Sequence, residues 1–208
     1  MESFKTNYFS ADIREKLPPI IQNALLKVDS AFIIGGFLCS VINKSEINDI
    51  DLFCHEKDLD RLVEALALSE EDRRLLKVWQ EGSLTAYPMS NCHHVYSTTI
   101  ACDLGDSRDG VPIDIVTYAD DFSPDKDCDF YCRTLRYDGM NVLAHHPRVL
   151  NDVLCKIVYK IPTYEGGVRP ISISKYLAKD YTFNRSSFEV HPQNDKWYPT
   201  NPDFKNFL

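Results

Sequence analysis

Three aspartates and a pair of glycines are the residues of this chain whose types and spacing could do chemistry. Asp49 and Asp51 stand two apart in Ile47–Cys54 (INDIDLFC), where polar and apolar positions alternate. On a strand, residues i and i+2 project from one face, which sets the two carboxylates about 7 Å apart on the same side. Like charges so placed repel, and a cation between them reverses the sign of the interaction. Asp114 lies in Val111-Pro112-Ile113-Asp114-Ile115-Val116, a carboxylate among β-branched neighbours. Burying it there is costly unless a metal or a basic partner meets it. Gly35-Gly36 closes the apolar run Ala31–Ile34 and opens a helical stretch. Glycine lets the backbone come close to a ligand, and helix-start amides face an anion, typically a phosphate. Hard oxygen donors of this kind suit Mg²⁺ or Mn²⁺, which bind through a few carboxylates plus substrate phosphates. Two such metals can bridge nucleophile, transferred phosphate and leaving group.

The elements that must position these residues are legible in part. Residues 11–28 carry an approximately helical stripe (Ile13, Leu17, Ile20, Ile21, Leu25, Leu26), broken or restarted at Pro18-Pro19. Ala31–Ile34 is expected as a buried strand stopping at the Gly-Gly turn, and Phe37–Ile42 as the first turns of a helix. Ile47–Cys54 is expected as the second strand. Lys57–Leu68 is the clearest helix, with Leu59, Leu62, Val63, Leu66 and Ala67 on one face, and a further helix is expected over Glu70–Gln80. Val95–Leu104 and Val111–Tyr118 read as strands joined in a hairpin through the turn-rich Gly105–Gly110. Asp120–Asp129 reads as an acidic loop, Arg148–Tyr159 as helical, and Ser172–Lys179 as a short helix after a break at Gly166-Gly167 and Pro170. The final stretch holds three prolines and reads as an extended tail on the body. The fold class expected is α/β (α+β): a small mixed sheet flanked by helices. A core over 1–140 would be followed by a small helical extension and tail over 141–208, packed on it.

Composition narrows the functional classes. A chain of 208 residues suits one domain, or one with a small appendage. Hydrophobic residues at 44% and charged residues at 26% supply an ordinary soluble core and argue against extended disorder. With 23 basic and 31 acidic residues the formal net charge is -8, against the usual balance of a duplex-binding protein; local basic patches toward RNA stay open. Seven cysteines (Cys39, Cys54, Cys92, Cys102, Cys128, Cys132, Cys155), odd in number and without a C-x-x-C pair, read as reduced thiols of a cytoplasmic protein. Cys128 and Cys132 lack convincing zinc spacing. His93-His94 and His145-His146 are adjacent pairs, which on a strand point to opposite faces and do not chelate. Met1–Ser10 is too polar for a signal peptide, and no apolar run approaches the ~20 residues that span a bilayer.

The string GGFLCSVINKSEINDIDLF (35–53) resembles the signature of the DNA polymerase beta superfamily of nucleotidyltransferases: Gly-Gly or Gly-Ser, a spacer, Asp-x-Asp, and a third acid on a later strand. It is similar above all to the head domain of class II CCA-adding enzymes and bacterial poly(A) polymerases. A second segment, Asp129–Asp138 (DFYCRTLRYD), is similar to that family's Asp-Phe-Thr-Ile-Asn-Ala-Leu-Ala-Tyr-Asp, which shapes the ribose and nucleotide pocket. A third, Arg169–Phe183, places Arg169, Lys175 and Tyr176 where the family has a basic, aromatic helix facing the nucleotide. The resemblance covers about residues 30–183. Cys39 and Ser40 hold the places of the family's Arg-Asp, Asp127 and Cys128 those of its paired arginines, and Arg133 that of its Asn.

The resemblance implies a metal-dependent transfer of an NMP from an NTP to a hydroxyl acceptor, such as RNA or tRNA, a small molecule or a protein, with release of pyrophosphate. Asp49 and Asp51 would bind both metals; Asp114 would complete the metal site and help deprotonate the attacking hydroxyl. Gly35, Gly36, Ser40, Arg133, Lys156 and Lys175 would surround the nucleotide. Two other readings accompany it. One is a toxin–antitoxin or phage–host defence component of the same fold, which toxicity on expression would distinguish. The other is a non-catalytic nucleotide-binding module, which NTP binding without turnover would identify.

Overall fold

The computed structural model describes residues 4–66, 77–79, 92–100, 111–118, 123, 127–163, 168 and 170–184. A short strand β1 (Phe4–Thr6) leads into α1 (Ser10–Lys16). Leu17 precedes a proline, which pushes it to extended backbone (ψ 135°) and ends the helix. Pro19 then occupies the first turn of α2 (Pro19–Lys27), where a missing N–H is no loss. The expected break at Pro18-Pro19 is therefore real. β2 (Phe32–Ile34), the bend at Gly35, and α3 (Gly36–Ile42) follow as the sequence suggests.

After α3 come β3 (Ile50–His55), a 3-10 turn (Glu56–Asp58), α4 (Leu59–Ala65), β4 (Lys77–Trp79), β5 (Cys92–Ile100) and β6 (Val111–Tyr118). A second 3-10 turn (Tyr131–Thr134) precedes β7 (Arg136–Tyr137) and β8 (Val142–Ala144). Then come α5 (Arg148–Leu154), β9 (Ile157–Val158), α6 (Pro170–Leu177) and β10 (Thr182–Phe183). Eight strands form one sheet in the order β1-β8-β7-β2-β3-β6-β5-β4, and β9 pairs with β10 apart from it. Every neighbour in the large sheet is antiparallel except β3 and β6, which run parallel. The sheet continues past residue 140, since β8 pairs with both β7 and β1.

Period-two alternation divides the sheet into two faces. Ile33, Ile50, Leu52, Cys54, Ile113 and Ile115 point into the main core with Phe37, Leu38 and Leu62 of the helices. Phe32, Ile34, Phe53 and Val116 point the other way and are covered by Cys128 and Ile161. Because Asp51 and Asp114 share the parity of Phe53 and Val116, they belong to this second face.

Three expectations need correction. β3 starts at Ile50, not Ile47, so Asp49 stands just before the strand. Lys77–Trp79, expected at the end of a helix, is a strand hydrogen-bonded to β5; partnering by a neighbouring strand overrides a local helical pattern. Ile157–Val158, expected as helix, is β9. Lys156 takes a left-handed φ of 53°, which stops α5 and turns the chain to pair with β10. The remainder of the expected helix over 70–80, the turn at 105–110, most of the acidic loop over 120–129, Gly166-Gly167 and the tail lie outside the described residues. Among the described residues no helix is long and apolar enough to cross a membrane.

Candidate active site

Asp51 of β3 and Asp114 of β6 are register partners on parallel neighbours. Their backbones are therefore about 4.8 Å apart, and both side chains leave the same face. Both are half-buried. On the other side of β3, Asp51 is opposite Ile34, the last residue of β2 before the bend.

The bend brings the glycines against the acids. Gly35 has φ 81° and ψ -129°, a backbone that side-chain-bearing residues rarely adopt. A Cβ on Gly35 would lie 3.6 Å from Asp51 Oδ2, and one on Gly36 would lie 3.8 Å from Asp49 Oδ1. Two carboxylates thus lie over the backbone of the two glycines, each with its own.

The last part of the chain supplies cations. Lys175 of α6 places Nζ 3.4 Å from Asp49 Oδ2. The lysine side chain is 53% exposed and the aspartate 33%, so the pair is worth at most about 1 kcal/mol and exchanges readily. Lys179, one turn further on, donates from Nζ to Ser40 Oγ at 2.8 Å. Ser40 itself is buried on α3. Arg133 donates to both Asp129 oxygens at 3.1 and 3.2 Å and to Ser172 Oγ at 3.1 Å. Its guanidinium also lies near the Phe130 and Tyr176 rings. Burial is the largest single influence and disfavours the Arg133 charge, but Asp129, Tyr176 and Cys132 together outweigh it and hold the guanidinium firmly protonated. Lys156 donates to the Lys179 carbonyl at 3.1 Å, at the C-terminal end of α6, with Asp180 Oδ2 at 3.9 Å.

The structure therefore brings Gly35, Gly36, Asp49, Asp51, Asp114 and Lys175 together. Ser40 joins them through Lys179, whereas Arg133 and Lys156 are engaged along α6. The sequence reading passed over Lys179; its i,i+4 spacing from Lys175, which puts both on one helical face, was the available signal. Beneath α6, Cys39 donates its thiol to the Cys132 carbonyl at 3.5 Å. A hydrogen bond from Cys132 pulls the Cys39 thiol down, while burial pushes Cys132 well up.

Among the described residues, no three His, Cys, Asp or Glu side chains converge into a group that could hold a metal ion. The donor chemistry of the aspartates nevertheless fits a hard divalent cation that takes its remaining ligands from water and substrate phosphate, since Asp51 and Asp114 are register partners whose side chains leave the same face of the sheet.

No protein-family model and no curated protein sequence matches this chain. Among solved structures, a CCA-adding enzyme in complex with CTP superposes with a TM-score of 0.55 at 17% identity over 89% of the chain. A CCA-adding enzyme with ATP gives 0.54 at 16% identity over 95%. An apo form gives 0.52 at 14% identity over 89%. The chain shares its fold with CCA-adding enzymes. This is the mixed α/β nucleotidyltransferase fold of their head, with a mostly antiparallel sheet flanked by helices. The chain spans less than half the length of those structures, 43% of the CTP complex and 46% of the other two.

Proposed function

We propose that the protein is a metal-dependent nucleotidyltransferase that moves an NMP from an NTP to a hydroxyl of an RNA acceptor and releases pyrophosphate. The observation that carries this reading is the placement of Asp51 beside Asp114, with Gly35 and Gly36 against Asp51 and Asp49. The likeness to CCA-adding enzymes solved with CTP and with ATP supports an NTP as donor. Their name supports an RNA end as acceptor.

In this mechanism the triphosphate lies along the Gly35-Gly36 bend, where the absence of a Cβ leaves room beside the acids. Lys175 turns from Asp49 to the phosphate oxygens, an exchange its weak, exposed pair permits. Asp51 and Asp114, joined by Asp49 once Lys175 has turned away, would hold Mg²⁺ or Mn²⁺, which, when bound, would neutralise charge on the transferring phosphate. Asp114 accepts the proton of the attacking hydroxyl. The acceptor oxygen bonds to the α-phosphorus as the bond from that phosphorus to the bridging oxygen breaks in line, and pyrophosphate departs. Positioning and charge neutralisation supply the rate.

The Asp49–Lys175 pair favours a second reading, a nucleotide-binding module without catalysis, because Lys175 occupies a carboxylate that metal would need. One experiment separates the two. The chain is incubated with each labelled NTP, Mg²⁺ or Mn²⁺ and total RNA, beside an Asp49→Ala, Asp51→Ala double variant. Label on RNA that disappears in the variant supports transfer. NTP binding without transfer in any mixture supports the module.

A further inference from the structure

We propose that Lys179 is a second phosphate-binding residue, which reads the length of the substrate's phosphate chain. The proposal rests on the nucleotide-binding reading above and adds a residue and a specificity to it.

Lys179 is pinned in place; its charge acts on the buried Cys39 thiol, and among the described residues no carboxylate meets it. Its carbonyl accepts from Lys156 Nζ at 3.1 Å, and its amide donates to Tyr176 O at 3.1 Å. Asp180, directly after it, takes a left-handed φ of 63° that fixes the exit from α6. Its ammonium carries three donors, and the hydrogen bond it makes is to a neutral hydroxyl, Ser40 Oγ at 2.8 Å. The neighbouring cations differ. Arg133 has Asp129 at 3.1 Å, Lys175 has Asp49 at 3.4 Å, and Lys156 has Asp180 at 3.9 Å. Among the described residues Lys179 has no carboxylate within 4.0 Å. A half-buried charge without a counter-charge is costly, and an anion removes that cost.

The position selects the anion. Lys175 lies on α6, and Lys179 lies four residues on in the turn that follows the helix. Gly36 and Ser40 are likewise four apart on α3. Lys175 meets the glycine bend through Asp49, and Lys179 meets α3 one turn deeper through Ser40. The two ammonium groups therefore address points about one helical turn, ~5.4 Å, apart. An oligophosphate bridges such a gap and a monophosphate does not. The class of ligand is a nucleoside triphosphate, or inorganic tripolyphosphate, with its terminal phosphate on Lys179 after Ser40 Oγ is released.

Calorimetric binding of ATP, AMP and tripolyphosphate to the full chain tests this, with Lys179→Met, Lys179→Arg and Ser40→Ala beside the wild type. Lys179→Met is expected to weaken ATP and tripolyphosphate by about tenfold, the loss of one charge-assisted hydrogen bond, and to leave AMP unchanged. Lys179→Arg should restore most of the loss, and Ser40→Ala, which frees the Lys179 ammonium, should raise the affinity for ATP and tripolyphosphate. Equal losses for ATP and AMP, or no loss in Lys179→Met, overturn the role of Lys179 while nucleotide binding stands. A wild type that binds neither ATP nor tripolyphosphate overturns the nucleotide-binding reading itself. A thermal melt of each variant identifies a loss caused by unfolding, and in that case Lys179→Arg and Ser40→Ala decide the outcome.

Discussion

Asp51 and Asp114 face each other across the parallel β3–β6 pair, at the same register and on the same side of the sheet. The rest of the large sheet is antiparallel, so this crossing is where two distant segments present carboxylates in step. Like charges directly opposite on neighbouring strands destabilise a sheet, and a divalent cation reverses that effect. Mg²⁺ at ~100 times its Kd is therefore expected to stabilise the wild type by about 2.7 kcal/mol and so raise its unfolding midpoint. The increment should vanish in Asp51→Asn, Asp114→Asn. Thermal melts with EDTA and with Mg²⁺ measure it, and equal shifts in both proteins would contradict the placement of metal there.

The two glycines should respond differently to alanine. Gly35→Ala forces a side chain onto a φ of 81°, at a cost of about 1–3 kcal/mol, although its Cβ would only touch Asp51 Oδ2 at 3.6 Å. Gly36 has ordinary helical backbone at the first position of α3, and alanine there should stabilise by about 0.5–1 kcal/mol. Its Cβ, 3.8 Å from Asp49 Oδ1, would stand where the phosphates are proposed to lie, so NTP affinity should fall while stability rises. Urea unfolding together with NTP binding for the two variants checks the contrast.

Arg133→Met should be among the more damaging single changes in the second half of the chain. It would leave Asp129, 3% exposed, without its guanidinium. Breaking a buried pair from one side costs about 3–5 kcal/mol. Adding Asp129→Asn should recover much of the loss, because the stranded charge goes with it. A double-variant cycle by denaturant unfolding reads the coupling, and a simple sum of the two single effects would sink the account.

Alkaline pH should weaken the fold partly through Cys54. Burial, with a smaller contribution from Asp58, pushes this thiol up to about 12. The folded protein therefore keeps a proton that the unfolded chain releases, and the stabilisation is complete only below the unfolded thiol's value, near 9. Between about 9 and about 12 it should fall by about 1.4 kcal/mol per pH unit. Cys54→Val, similar in size and without the proton, should have a shallower slope of stability against pH over that window. Identical slopes would rule out the assignment.

The residues of the candidate site were legible in the sequence because the features that mark them are local. Gly35-Gly36 sits where a strand must stop, Asp49 and Asp51 lie in an alternating run, and Asp114 interrupts a β-branched one. Local sterics and side-chain parity fix such features within a few residues. The proline break between α1 and α2 was legible for the same reason. Short strands were not. Lys77–Trp79 and Ile157–Val158 become strands because β5 and β10 supply their hydrogen bonds, and nothing within a three-residue or two-residue segment announces a partner.

Tertiary structure alone decided which cation meets which acid. Lys175 and Asp49 are 126 residues apart in the chain, and Lys179 and Ser40 are 139 apart. From sequence Arg133, Lys156 and Lys175 were equal candidates. The packing of α6 over α3 sets Lys175 on Asp49, while Arg133 is held by Asp129 and Lys156 by the end of α6. Sequence determined the chemistry carried by each residue, because residue type and neighbouring backbone fix it. Tertiary structure decided the pairing, because charges interact through distance in space, and only the packing of helices on the sheet sets that distance.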